Sequence, residues 1–303
     1  MKAQTMPSPI VELERASWDA DTPADPQWTA AVESGKVLLF PRLAFALLPE
    51  ERALLREDML SPKARNVSLR SDGVLKGASG TALEQARLAT MIARFRAQAL
   101  SLVDSLFPAY RGALSTAPTS FRPRRVETRT QSVRADDRRM HVDAFPSRPN
   151  YGERILRVFA NINPDGVPRV WRVGGDFESV ARQFLPRAKR YSLWQAKALQ
   201  ALHVTKSLRS EYDHLMLQLH DRMKFDEQWQ QQGRQWRVPF PAGSCWVCYS
   251  DQAVHAVMEG QYMMEQTLYL PPGREADPAA SPLGILTRLM GRPLVGAGAG
   301  VGR

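Results

Sequence analysis

The sequence predicts an α+β fold: a double-stranded β-helix, or jelly-roll barrel, with flanking helices and a helical insertion around 177–232. Two observations predict it. Short strand-like runs lie on either side of a stretch with helical periodicity. There is also no regular alternation of β and α units and no glycine-rich phosphate loop, which argues against doubly wound and P-loop folds. A third feature fits the same picture: His141-Val142-Asp143 falls on one strand-like run, and His255 falls beside another, far downstream.

Residues 1–28 are rich in Pro and Asp, lack periodicity and read as an extended leader. Residues 35–45 read as a strand whose internal proline places it at an edge or bend. Residues 49–59 read as a short helix, followed by a Ser- and Gly-rich loop. Residues 81–107 give the strongest helical signal, with Leu83, Ala86, Met91, Phe95, Leu102 and Leu106 near helical spacing and Thr81 with Glu84 in a capping-box pattern. Strands are then expected at 120–127, 139–145, 153–163 and 168–173. Asn163-Pro164-Asp165-Gly166 is a turn that predicts a hairpin between the last two. Helices follow at 177–185, 192–203 and 210–232, strands at 235–249 and 255–270, and a short amphipathic helix at 281–290. A single domain is expected over 29–295, with the glycine-rich end, 296–303, as a mobile tail.

The chain has 303 residues, 44% of them hydrophobic and 24% charged, enough for a sizeable buried core. Its start has no apolar h-region and nothing reads as a membrane span, so a cytoplasmic location is expected. Cys245 and Cys248, three apart in a strand-like run, should face opposite sides and stay reduced in the core. The net charge is +10, carried by 33 Arg against 8 Lys. That bias fits either a GC-rich genome or an anionic partner. The densest basic stretch, Arg122 to Arg139, runs directly into His141.

An extended backbone puts residues i and i+2 on one side, so His141 and Asp143 can face one metal ion, with His255 as a third donor. Two imidazoles and one carboxylate leave coordination positions open. That set suits non-haem Fe(II) that also holds a cosubstrate and dioxygen. His203, His214 and His220 fall on predicted helices and read as structural or surface residues. Such a centre using 2-oxoglutarate also needs a cation for the distal carboxylate, and residues 263–268 contain none. Candidates on other strands are Arg122, Arg157 and Arg169. Arg169 shares a face with Trp171, and Gln266 could donate an amide hydrogen bond.

Three stretches, MHVDAFPSRPNYGERILRVFANINPDGVPRVWRVG, WVCYSDQAVHAVMEGQYMMEQTLYLP and SPLGILTRLMGRPLV, resemble the bacterial Kdo 3-hydroxylases. The resemblance covers roughly residues 30–295. It implies a jelly-roll oxygenase dependent on Fe(II), 2-oxoglutarate and dioxygen that hydroxylates C3 of a Kdo sugar on lipid A, giving Ko. It implies His141, Asp143 and His255 as iron ligands. Arg122, Arg157, Arg169 and Trp171, with Gln266 nearby, would form the 2-oxoglutarate site. Kdo-lipid A is anionic and membrane-held, so the arginine excess would meet it at the cytoplasmic face of the inner membrane, with 282–290 as a contact segment. Two other readings stay open: an oxygenase acting on a protein side chain or small metabolite, and a basic non-catalytic binding protein. No zinc-finger or RNA-binding signature points to nucleic acid.

Overall fold

The structure, a computed structural model, describes residues 8–19 and 23–296. In chain order its elements are β1 (Ile10–Glu12), α1 (Pro26–Glu33), β2 (Val37–Phe40), β3 (Val67–Leu69), β4 (Leu75–Lys76), α2 (Ala82–Leu106), β5 (Ser115–Thr116), β6 (Thr119–Arg122), β7 (Arg154–Asn161) and β8 (Arg169–Val173). Then come α3 (Phe177–Phe184), α4 (Leu193–Ala201), α5 (Glu211–Phe225), α6 (Glu227–Gln232), β9 (Trp236–Phe240), β10 (Cys245–Tyr249), β11 (His255–Glu259), β12 (Met263–Leu270) and α7 (Pro282–Met290).

The strands form two sheets. The larger runs β1-β2-β10-β7-β12-β6-β3-β4, with β5 on β12; the smaller runs β11-β8-β9. Alternation along β7 and β10 shows what each face meets. Leu156, Val158 and Ala160 of β7, with Cys245, Val247 and Tyr249 of β10, join the core beneath α2. Phe159, Trp246 and Cys248 point the other way, toward the small sheet. There Trp171 packs edge-on against Phe159, Trp246 and Phe240 at centroid distances of 5.0, 5.4 and 5.5 Å, and Phe240 stacks on Trp246 at 4.2 Å. Aromatic pairs in these geometries add about 0.5–1.5 kcal/mol each beyond the area they bury. The two cysteines are free, buried and on opposite faces, and burial pushes both thiols up.

α2 begins at the expected capping box, Thr81 with Glu84. Its buried stripe starts later than the spacing suggested. Leu88, Met91, Ile92, Phe95, Ala99, Leu102, Val103 and Leu106 face the core, whereas Leu83 and Ala86, near the helix start, are exposed.

Several expectations need correction. The Asn163 turn forms, its side-chain oxygen accepting from Asp165 N at 2.9 Å. Yet β7 and β8 do not pair: the turn carries the chain from the large sheet into the small one. The runs 235–249 and 255–270 are likewise each two strands in different sheets, split by the turns near Gly243 and Gly260. Residues 139–145 make one bridge, His141 to His255, in place of a strand. Within 1–28, β1 pairs in parallel with β2, and Asp25 caps α1, so this stretch is not simply an extended leader. α7 does not offer an apolar outer face: Ile285 and Leu286 are buried against α3 and α5 residues such as Phe184 and Leu219. The end read as a tail, 296–303, lies outside the described residues apart from Gly296.

One buried ion pair fixes the loop before β11. Arg154, fully buried, donates from Nε to Asp251 Oδ2 at 2.8 Å and lies over the Tyr249 ring at 3.8 Å. Asp251 Oδ1 also accepts from Ile155 N. Removing one partner leaves an uncompensated charge in the core. Asp251→Ala is therefore expected to lower unfolding free energy by about 3–5 kcal/mol in urea titration. A change within experimental error would show that this pair does not hold the loop.

Candidate metal centre

His141, Asp143 and His255 converge: their donor atoms all lie within 4.8 Å of one another. The local cause is a single two-way backbone exchange. His141 N donates to His255 O and His255 N to His141 O, both at 2.9 Å, which brings the imidazoles to a centroid distance of 4.7 Å. Two residues on, Asp143 N donates to Ser250 O, so the chain stays extended and the carboxylate returns to the side of the rings. Its Oδ1 lies 3.5 Å from His141 Nε2.

Each imidazole is oriented by its own chain. His141 Nδ1 lies 2.7 Å from Arg139 O, and His255 Nδ1 lies 2.8 Å from Ala253 O. A carbonyl only accepts, so Nδ1 carries the proton in both rings and Nε2 is left as a lone-pair donor. Burial, with His141 alongside, pushes His255 down to about 4, so it is neutral and ready to bind a cation at neutral pH. Trp171 stacks on the His255 ring at 5.1 Å and fixes its plane.

Asp143 stands at the end of a charge chain. Arg157 Nη2 lies 2.9 Å from Asp143 Oδ2, and Arg157 Nη1 lies 3.1 Å from Glu265 Oε1. Glu265 Oε2 takes Arg122 at 2.9 Å. Burial opposes charge on both carboxylates, but the arginines outweigh it and hold Asp143 well below its usual range and Glu265 below its own. Asp143 thus stays ionised and aimed before any metal arrives.

The three donors open into a cavity of about 900 Å³. Arg122, Arg157, Arg169 and Trp171 all line it. Arg169 differs from the other arginines. It is buried, and the one hydrogen bond of its side chain among the described residues runs from Nη1 to Gly260 O at 3.2 Å. No carboxylate pairs with it among the described residues. Burial, then Arg129 and Arg122, lower it to about 9. Gly260 makes this placement possible: its φ is 112°, and a Cβ there would sit 3.0 Å from Arg169 Cα.

Gln266 does not belong to this site. It faces the α2 side, accepting from Thr119 Oγ1 and donating to Ala117 O and Thr267 O. On a strand, adjacent residues face opposite ways, so the cavity receives Glu265 instead. Sequence reasoning missed Glu265, although it lies in the window searched for a cation. It also missed His220 and Lys224, which with Leu217 line the cavity from α5. Their spacing puts them on one helix stripe, and that was the available signal. The His220 ring packs edge-on against His141 at 5.3 Å, so it is a wall of the site and not a surface residue.

Fold and site together set two imidazoles and one carboxylate within reach of a single metal ion, with a basic cavity in front of them. Residues 16–293 match the 3-deoxy-D-manno-oct-2-ulosonic acid (Kdo) hydroxylase family, and the chain belongs to that family. It is similar to the solved structures of the Kdo hydroxylase KdoO, a non-haem Fe(II) α-ketoglutarate-dependent dioxygenase. With KdoO in complex with cobalt(II) it shares 39% identity and a TM-score of 0.91 over 96% of this chain and 98% of that one. With the complex of α-ketoglutarate and Fe(III) the values are 39% and 0.89, over 95% and 98%. With the complex of succinate and Fe(III) they are 39% and 0.90, over 96% and 98%. No curated protein matches the chain.

Proposed function

We propose that the chain is an Fe(II)- and 2-oxoglutarate-dependent dioxygenase that hydroxylates C3 of the Kdo sugar of Kdo-lipid A, giving Ko in the lipopolysaccharide inner core. The observation that carries this reading is the convergence of His141, Asp143 and His255 in a cavity with an unpaired buried cation, Arg169. The donor set fits the metal: two Nε2 lone pairs and one ionised carboxylate are the N and O ligands that Fe(II) takes, with open positions remaining. KdoO, whose structures hold Fe(III), α-ketoglutarate and succinate, supports the same pair of cofactors here.

When bound, the iron with 2-oxoglutarate and dioxygen supplies the oxidising power to place oxygen on an unactivated carbon. The chain's own residues do the positioning. His141, Asp143 and His255 would hold the ion. Arg157 and Arg122 are occupied by Asp143 and Glu265, so they stiffen the carboxylate ligand. Arg169 is left to pair with the distal carboxylate of 2-oxoglutarate, and Trp171 and Phe159 wall the cavity against water. Eight Arg and Lys side chains line the cavity against four Asp and Glu, a positive balance that attracts an acidic sugar.

The two facing sheets support a jelly-roll reading. β10-β7-β12-β6 would be the major four strands, and β9-β8-β11 with the His141 bridge the minor four. Among the described residues no helix is long and apolar enough to cross a membrane. A cytoplasmic enzyme resting peripherally on the inner membrane fits a substrate whose acyl chains stay in the bilayer.

The test is direct. With Fe(II), 2-oxoglutarate and purified Kdo-lipid A, mass spectrometry should show addition of one oxygen coupled to succinate release, and His255→Ala should show neither. Succinate formation with no oxidised Kdo-lipid A would point to a different substrate.

A further inference from the structure

The insertion between β8 and β9 carries a second charged surface, outside the cavity. Residues 179–210 contain seven Arg and Lys and not one Asp or Glu. Lys189, Arg190, Lys197 and Lys206 are exposed and form no ion pair among the described residues. On the same stretch large apolar side chains face water: Trp194 is 79% exposed, Leu202 73%, Val204 53% and Leu193 50%. Only Ala196 of α4 is fully buried, so the helix is held by its small side and presents its large side chains outward. Leu193 also lines a second, mostly apolar cavity of about 640 Å³ with Tyr151, Tyr191, Leu208 and Leu294, which extends the apolar surface inward.

We propose that α4 and its flanks, residues 187–206, are the surface that seats this enzyme on an anionic lipid bilayer. Charge complementarity selects that occupant. A second copy of the chain would bring cations against cations, whereas anionic headgroups neutralise Lys189, Arg190, Lys197 and Lys206 together. Trp194 and Leu202 then enter the headgroup boundary, where an indole gains from an apolar body and a polar edge. The segment is tied to the metal cavity. Lys206 N donates to Ser147 O and Arg209 to Pro146 O, and Phe145 and Pro146 line the cavity next to Asp143. A headgroup drawn from the bilayer beside α4 therefore reaches the rim directly. The inference rests on the membrane contact proposed above, with α4 replacing the 282–290 segment. It does not depend on the chemistry at the metal.

Flotation with vesicles tests it. The full chain should float with equimolar phosphatidylcholine and phosphatidylglycerol and stay at the bottom with phosphatidylcholine alone. Trp194→Ala with Leu202→Ala, and separately Lys189→Glu with Arg190→Glu, should each weaken partitioning by roughly tenfold. Cobalt(II) binding followed by its absorption band should be unchanged in both variants, which shows that fold and metal centre are intact. Wild-type levels of flotation in both variants would overturn the proposal, as would no flotation of the parent chain. So would conversion of a dimer to a monomer by the Trp194 variant without vesicle binding, which would assign the surface to a second copy. Failure to hydroxylate Kdo-lipid A with flotation intact would count only against the catalytic reading.

Discussion

Asp143→Ala is expected to reduce turnover to background and to destabilise the metal-free protein as well. The two effects have separate causes. Turnover fails because the only carboxylate donor of the centre is gone, leaving two imidazoles. Stability falls because Arg157 is held, largely shielded from water, between Asp143 and Glu265, and Glu265 is already shared with Arg122. An arginine stripped of one of its two partners at this depth costs on the order of 1–3 kcal/mol. His255→Ala is the control. It removes a proposed metal ligand but no charge partner, so it should abolish turnover without that loss. Urea titration of both variants without metal, alongside cobalt(II) binding, separates the two. Equal stability of Asp143→Ala and the parent chain would show that Arg157 does not depend on Asp143.

Arg169→Met should move stability and function in opposite directions. Arg169 is buried with no carboxylate in an ion pair with it among the described residues, and burial together with Arg129 and Arg122 lowers it to about 9. At neutral pH the group is charged in both folded and unfolded chains, so the folded state bears the full cost of burying it. That cost is relieved only as pH rises above about 9 toward the ordinary arginine value, where the folded chain releases the proton first. Replacement by an apolar side chain of similar length should therefore stabilise the metal-free protein by about 1–4 kcal/mol. The same change removes the partner for a carboxylate in a closed site and should raise the 2-oxoglutarate requirement by roughly two orders of magnitude. Thermal unfolding and the concentration dependence of succinate release provide the two readouts. An unchanged 2-oxoglutarate requirement would reassign the distal carboxylate, with Arg129 the next cation in the cavity.

The parts of the site legible in the sequence were those fixed by strand alternation. His141 with Asp143, and Arg169 with Trp171, are i, i+2 pairs, and any extended chain puts each pair on one side. Gln266 failed by the same rule, because one position along β12 reverses the face and delivers Glu265 to the cavity. The turn at Asn163 was legible as a turn. Which sheet the next strand joins is decided by long-range packing of Trp171 on Phe159 and Trp246, and local residues do not encode that. His220 and Lys224 were hidden for a similar reason: helical spacing groups them, but only tertiary contact shows which stripe of α5 turns toward His141.

The exchange between His141 and His255 also bears on the order in which the protein matures. The two rings meet only after β11 has crossed back to bridge the earlier segment. A ribosome-bound chain that has not yet emerged past that point carries one imidazole and one carboxylate at the future centre, and Asp143 lacks the Ser250 carbonyl that anchors its backbone. The three candidate donors therefore come together only once β11 has docked on the earlier segment.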